Sequence, residues 1–168
     1  MLSKKVIEEI SMVAKKMNKK IIVDTQVSNR KGNLDDYKDI DLISVKDSEA
    51  REYLNDFHSK DEWIFKKLCS KLNFETIIYK LGAKGLMAKN YKNFYKFPAL
   101  PINVVDPIGS GDAFLSCSAI SKIINTSFED NIYISSCGAA LCCTKLGTNP
   151  ITMKELENFT KQEWNLNA

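Results

Sequence analysis

Residues 105–114 read Val105-Asp106-Pro107-Ile108-Gly109-Ser110-Gly111-Asp112-Ala113-Phe114, and no other stretch constrains the possible fold as sharply. Two glycines flank a small residue, an acid follows at once, and the amphipathic run 113–124 after it predicts a helix. Glycine permits the backbone angles that let several N–H groups converge on an anion, and it places no Cβ in the way. The start of the helix adds its positive end to the same spot. A purely structural acid gains little beside an anion-binding nest. A general base whose substrate hydroxyl attacks a phosphoryl group belongs there, which makes Asp112 the candidate. The plainer alternative is a strand-to-helix turn whose first-turn acid favours the helix dipole.

The rest of the chain alternates strand and helix patterns, which predicts an α/β fold built from parallel βαβ units. Ser3 is placed to cap a first helix over 4–17, with Val6, Ile7, Ile10, Val13, Ala14 and Met17 on one face. Residues 21–23 and 42–45 predict short buried strands, and 25–36 a polar loop. Asp47 is the expected cap of a helix over 48–54, and Ser59-x-x-Glu62 a capping box opening one over 60–72. Residues 76–81 predict a third strand, closed by Gly82-Ala83-Lys84-Gly85; 85–89 and 94–97 predict a hairpin. A long apolar helix over 129–145 and a last helix, boxed by Thr152-x-x-Glu155 and running towards Trp164, complete the pattern.

Composition excludes several classes. A net charge of +3 with scattered lysines argues against a nucleic-acid partner. The five cysteines, Cys69, Cys117, Cys137, Cys142 and Cys143, form no C-x-x-C pair, and the single histidine, His58, lies far from them; both argue against zinc. Four of these thiols fall in apolar helical stretches, as expected of buried cysteines in a reducing compartment. The start of the chain reads as an amphipathic helix rather than a secretory leader. The most apolar run, 133–143, is too short for a bilayer. A cytoplasmic protein without a membrane partner is expected. No G-x-G-x-x-G follows an early strand, which argues against a dinucleotide-dependent dehydrogenase.

The string D-x-x-G-[AS]-G-D-x-F resembles the C-terminal signature of the ribokinase-like (PfkB) carbohydrate kinases. Pro107 stands where Thr is usual, and Ser110 where Ala is usual. Pro107 removes a hydroxyl and an N–H and stiffens the turn. The resemblance implies a three-layer, ribokinase-like (Rossmann-like) α/β fold with a parallel sheet and a small β-hairpin. It also implies an ATP-dependent sugar or sugar-phosphate kinase: Asp112 as base, Gly109, Ser110 and Gly111 as the anion hole, and Mg²⁺ bridging the phosphates. Glu49 matches the Glu of the family's N-x-x-E, which organises Mg²⁺ through water, although Lys46 replaces the Asn; a helix first-turn acid is the alternative. Gly82 and Gly85 match T-L-G-x-x-G beside the nucleotide phosphates, with Lys80 in place of Thr; a tight strand-to-hairpin turn is the alternative. Gly138 with Ala139 and Ala140, and Gly147 in Lys145-Leu146-Gly147-Thr148, resemble the segments bordering the adenine, with plain helix packing as the alternative at Gly138. Asp106 would help hold a monovalent cation such as K⁺, or serve as a turn-forming acid before proline.

The loop residues Asp24, Thr25, Gln26, Asn29, Gly32, Asn33 and Tyr37 look most like the heptose-phosphate kinase branch, some members of which are fused to a nucleotidyltransferase. The resemblance covers only the C-terminal half of a typical member, so residues 1–168 are expected to be the nucleotide-binding and catalytic-loop part of a sugar kinase domain. The N-terminal half, with most sugar contacts, is missing from the match. The sheet edge it would pair with is expected to be covered by a partner chain or a second copy, making a homo-oligomer. The rival reading is a non-catalytic nucleotide-binding or assembly module, or a half-kinase inactive without its partner.

Overall fold

The apolar stretches at 42–46 and 76–80 become neighbouring inner strands of a five-stranded sheet. The computed structural model describes residues 3–25 and 34–167, with side chains as far as 162. Gln26, Asn29, Gly32 and Asn33 lie outside the described residues, as do Met1 and Leu2. The chain divides into two compact units, residues 1–98 and 99–168.

In the first unit, helix α1 (Lys4–Lys16) is capped as expected: the Ser3 hydroxyl accepts the Val6 N–H at 3.4 Å. Of its apolar face only Ile7 is buried, while Ile10, Val13 and Met17 stand exposed. Strands β1 (Ile22–Asp24), β2 (Leu42–Lys46) and β3 (Thr76–Lys80) run parallel in that order. Strands β4 (Leu86–Asn90) and β5 (Asn93–Phe97) then continue the same sheet antiparallel. The expected α/β class holds, but the sheet is mixed, because a parallel return needs a dozen or more residues and the turn after β3 offers only five. β1 is half-buried along its length rather than buried, since it is the edge strand and pairs only with β2.

The core of this unit joins Ile43 and Val45 of β2, Ile77 and Tyr79 of β3 and Met87 of β4 to Ile64, Phe65 and Leu68 of helix α3 (Asp61–Lys71). Each such side chain taken from water stabilises the fold by roughly 1.5–3 kcal/mol. The Phe65 ring stacks on Tyr79 with centroids 5.9 Å apart.

Two helix starts differ from expectation. Helix α2 (Asp47–Leu54) is capped at Lys46, not Asp47, and α3 is capped at Lys60, not Ser59. The Asp47 carboxylate is drawn off by the Tyr79 hydroxyl and by Arg51 Nε at 2.7 Å. Asp56 accepts both the Ser59 N–H, at 3.1 Å, and its hydroxyl, at 2.9 Å. A partner with a stronger charge outcompetes the local cap in each case.

The second unit consists of helices α4 (Ser110–Ile123), α5 (Phe128–Cys143) and α6 (Met153–Asn167). The Thr152–Glu155 capping box forms as expected, with Thr152 N–H to Glu155 Oε2 at 2.8 Å and Glu155 N–H to Thr152 Oγ1 at 3.2 Å. Helices α4 and α5 share a buried polar clasp: the Ser118 hydroxyl donates to Asn131 Oδ1, and Asn131 Nδ2 donates to the Ser118 carbonyl, each at 2.9 Å. All five cysteines are free thiols; Cys137 and Cys142 are buried and the other three half-buried. No described helix is long and apolar enough to cross a membrane.

Candidate functional site

The helix after the glycine string starts three residues earlier than its apolar periodicity indicates. Gly109 is its N-cap, in the left-handed region at φ +82°, and Ser110, Gly111 and Asp112 form its first turn. That backbone angle favours glycine, while an added Cβ would find only ordinary contacts, with Thr148 Cγ2 at 3.4 Å and Cys142 Sγ at 3.5 Å. Ser110 is not free to join an anion hole through its amide: its N–H donates to the Pro107 carbonyl at 3.2 Å, and its hydroxyl to the same oxygen at 2.8 Å. The Gly111 and Asp112 amides, by contrast, have no acceptor among the described residues. They are the open N–H groups that every helix start leaves over. The Asp112 side chain is exposed, with neither hydrogen bond nor ion pair among the described residues. An open pair of amides beside an uncommitted carboxylate can hold an anion and accept a proton next to it.

This turn is anchored from behind. The Cys143 carbonyl, at the end of α5, accepts the Val105 N–H at 2.8 Å and the Asp106 N–H at 3.1 Å. The Cys142 thiol, whose pKa burial pushes up, donates to the Ile108 carbonyl at 3.5 Å. Asp106 accepts the Ile108 N–H on Oδ1 and the Gly147 N–H on Oδ2, each at 3.0 Å. Asp106 therefore forms the turn that its position before proline allows. Gly138 serves helix packing: an added Cβ would lie 2.6 Å from Cys117 Sγ on α4. The packing alternative at Gly138 is thus present, on a buried glycine facing a neighbouring helix. Gly147, at φ +73° with nothing within 4 Å of where a Cβ would stand, stays open.

In the first unit, most polar side chains at the carboxyl ends of the parallel strands are paired, whereas the Lys46 side chain is exposed with no partner among the described residues. Lys80 Nζ binds Asp24 Oδ1 at 2.7 Å, both side chains largely shielded. Glu49 Oε2 accepts the Lys46 N–H at 2.8 Å and the Thr25 hydroxyl, so the first-turn capping role expected as its alternative is present. Gly82 (φ +59°) and Gly85 (φ +89°) form a tight turn, with Leu81 N–H to the Gly85 carbonyl at 2.8 Å and Gly85 N–H to the Gly82 carbonyl at 2.9 Å. Beside it, Arg51 binds Asp61 at 2.6 Å and the Ser59 carbonyl at 2.8 Å, and Lys84 binds Asp61 at 2.9 Å. Lys84 above all holds the Asp61 carboxyl below its ordinary pKa. Sequence reasoning missed this network and the Asp24–Lys80 pair, whose members are 56 residues apart. Among the described residues, no three His, Cys, Asp or Glu side chains converge to cage a metal.

A sequence model of the pfkB family of carbohydrate kinases matches residues 1–155. The chain belongs to that family. Among its relatives in this pfkB group is the bifunctional protein HldE of Haemophilus influenzae, 25% identical over 155 residues that cover 90% of this chain and 32% of that one. An uncharacterized sugar kinase of Buchnera aphidicola is 26% identical over 153 residues, covering 89% of this chain and 48% of its own. The fold matches Arabidopsis thaliana ribokinase complexed with ribose and ATP, at a TM-score of 0.82 and 22% identity over 95% of this chain and 53% of that one. The chain thus spans about a third of the first relative and about half of the ribokinase.

Proposed function

We propose that this chain is the nucleotide-binding, phosphoryl-transferring part of an ATP-dependent sugar or sugar-phosphate kinase. The observation that carries the reading is the start of α4, where a left-handed Gly109 turns two unspent amides outward beside the exposed Asp112. Asp112 accepts the proton of the acceptor hydroxyl as it attacks the γ-phosphorus. The Gly111 and Asp112 amides, with Gly109 shaping the turn, stabilise charge on the transferring group. Little covalent chemistry falls to the protein in such transfers; positioning and fixed dipoles supply the acceleration.

The donor set suits a magnesium ion that arrives on the nucleotide phosphates and keeps most of its waters, rather than one held in a protein cage. Glu49 is the carboxylate assigned to it through water, and Mg²⁺ would neutralise phosphate charge. A potassium ion at Asp106 would have to share both oxygens with the Ile108 and Gly147 amides. Gly82, Gly85 and Gly147 border the nucleotide in this reading, and the acceptor sugar is bound mainly by a partner chain or segment corresponding to the family's N-terminal half.

A second reading, a non-catalytic nucleotide-binding or assembly module, is favoured by one observation: Lys80 is committed to Asp24. Calorimetry of the chain with Mg-ATP, followed by phosphate-transfer assays in the presence of a pfkB N-terminal half, separates the two. Binding with sugar-dependent ADP release supports the kinase. Binding without any transfer supports the module, and no binding overturns both.

A further inference from the structure

The Asp106 carboxylate joins two segments that lie far apart in sequence, and each oxygen does a different job. Through Oδ1 it closes the turn onto the Ile108 amide, two residues on. Through Oδ2 it reaches the Gly147 amide, 41 residues away in the loop after α5. Gly147 is left-handed although nothing within 4 Å would obstruct a side chain, so its backbone shape, not lack of room, is what aims its N–H at Asp106. A Cβ built at Gly109 would stand within ordinary contact distance of the neighbouring Thr148, 3.4 Å from its Cγ2. The loop at 145–148 and the start of α4 therefore lie against one another, joined by the hydrogen bond from the Gly147 amide to Asp106.

We propose that Asp106 is a positioning residue: by tying the turn at 106–108 to the Gly147 amide, it fixes where Gly109 starts α4 and hence where the Gly111 and Asp112 amides point. Its effect on nucleotide rests on the kinase reading, whereas the tie itself does not. The loss of a hydrogen bond from an amide to a charged acceptor is felt at roughly tenfold or more in the equilibria it controls.

The test compares the full chain with Asp106→Ala and Asp106→Asn by NMR, and titrates each with Mg-ATP in potassium chloride and in tetramethylammonium chloride. In Asp106→Ala the Ile108 and Gly147 amides should exchange with solvent about tenfold faster or more. The Gly111 and Asp112 amide resonances should shift, while amides in the middle of α5 keep their protection. Asp106→Asn retains one carbonyl acceptor and should fall between; it carries the test if the alanine variant does not fold. Mg-ATP binding should weaken about tenfold in Asp106→Ala. Unchanged exchange at both donors, or faster exchange with unmoved Gly111 and Asp112 resonances, overturns the proposal. So does Gly147 protection in the wild type that vanishes in tetramethylammonium, because the carboxylate would then act through a cation. If the wild-type chain does not bind Mg-ATP, the kinase reading fails, and the NMR comparison still decides the tie.

Discussion

The two polar regions of this chain are built on opposite plans. At the carboxyl ends of the parallel strands, all charged groups but the exposed Lys46 ammonium are matched among the described residues: Asp24 with Lys80, Glu49 with the Lys46 amide and Thr25, and Arg51 with Asp47 and Asp61. At the start of α4 the reverse holds, with two amides and a carboxylate left uncommitted among the described residues. Paired charges hold a fold in shape, whereas unpaired groups in a fixed geometry are available to a ligand. Substitutions should therefore separate cleanly into those that change activity and those that change stability.

The largest effect is expected at the open region. Asp112→Asn should lower phosphate transfer by about a hundredfold or more while leaving Mg-ATP affinity within a few-fold and the melting temperature nearly unchanged. A variant with wild-type kcat would remove Asp112 from the role. Next, Arg51→Ala should destabilise the first unit by about 1–3 kcal/mol, because Asp61 and Asp47 each lose a charged partner and are left with Lys84 and the Tyr79 hydroxyl, respectively, and a denaturant titration measures it. Gly138→Ala comes close behind, at roughly 1–3 kcal/mol, since its methyl would overlap the Cys117 sulfur; a companion Cys117→Ala should recover part of the loss.

Acid sharpens the same contrast. Asp61, held down chiefly by Lys84, and Glu155, held to about 2 chiefly by Lys145, have lower pKa values folded than unfolded. Their contribution is thus complete above the unfolded carboxylate range, about 4, and is lost as pH falls through the folded values. For Glu155 the loss should extend down to about pH 2, and Glu155→Gln should flatten that part of the urea-midpoint profile. The smallest effect concerns Ser44, whose buried hydroxyl has no hydrogen-bond partner among the described residues. Ser44→Ala should be neutral or stabilise by up to about 1 kcal/mol in thermal unfolding.

Elements whose determinants are local were legible in the sequence. The Ser3 and Thr152 caps rest on partners three residues away, the hairpin of β4 and β5 closes through a turn of two residues between Asn90 and Asn93, and the helix that carries Asp112 is signalled by its own contiguous string. The cap expected at Asp47 fails to a distant competitor, since Tyr79, bonded to Asp47, is 32 residues away; the one expected at Ser59 fails to a local one, Asp56, whose carboxylate takes both the Ser59 amide and its hydroxyl from three residues off. The packing partner of Gly138 was not legible, since it is Cys117 of another helix. The candidate base was legible because its turn, its glycines and its acid form one continuous string. What holds that string in place was not, since Gly147 and Cys143 enter it from the far end of α5.

The near-contact of Cys117 with Gly138 carries a consequence for the whole helix pair. Where one helix rests a sulfur in the space another leaves by lacking a methyl, sliding along the axis is blocked in both directions. α4 is in effect pinned at mid-span as well as at its root, so thermal motion at its first turn should be small in amplitude. A first turn mounted on such a beam has little freedom to wander, so any anion reaching its open amides would meet them already in place.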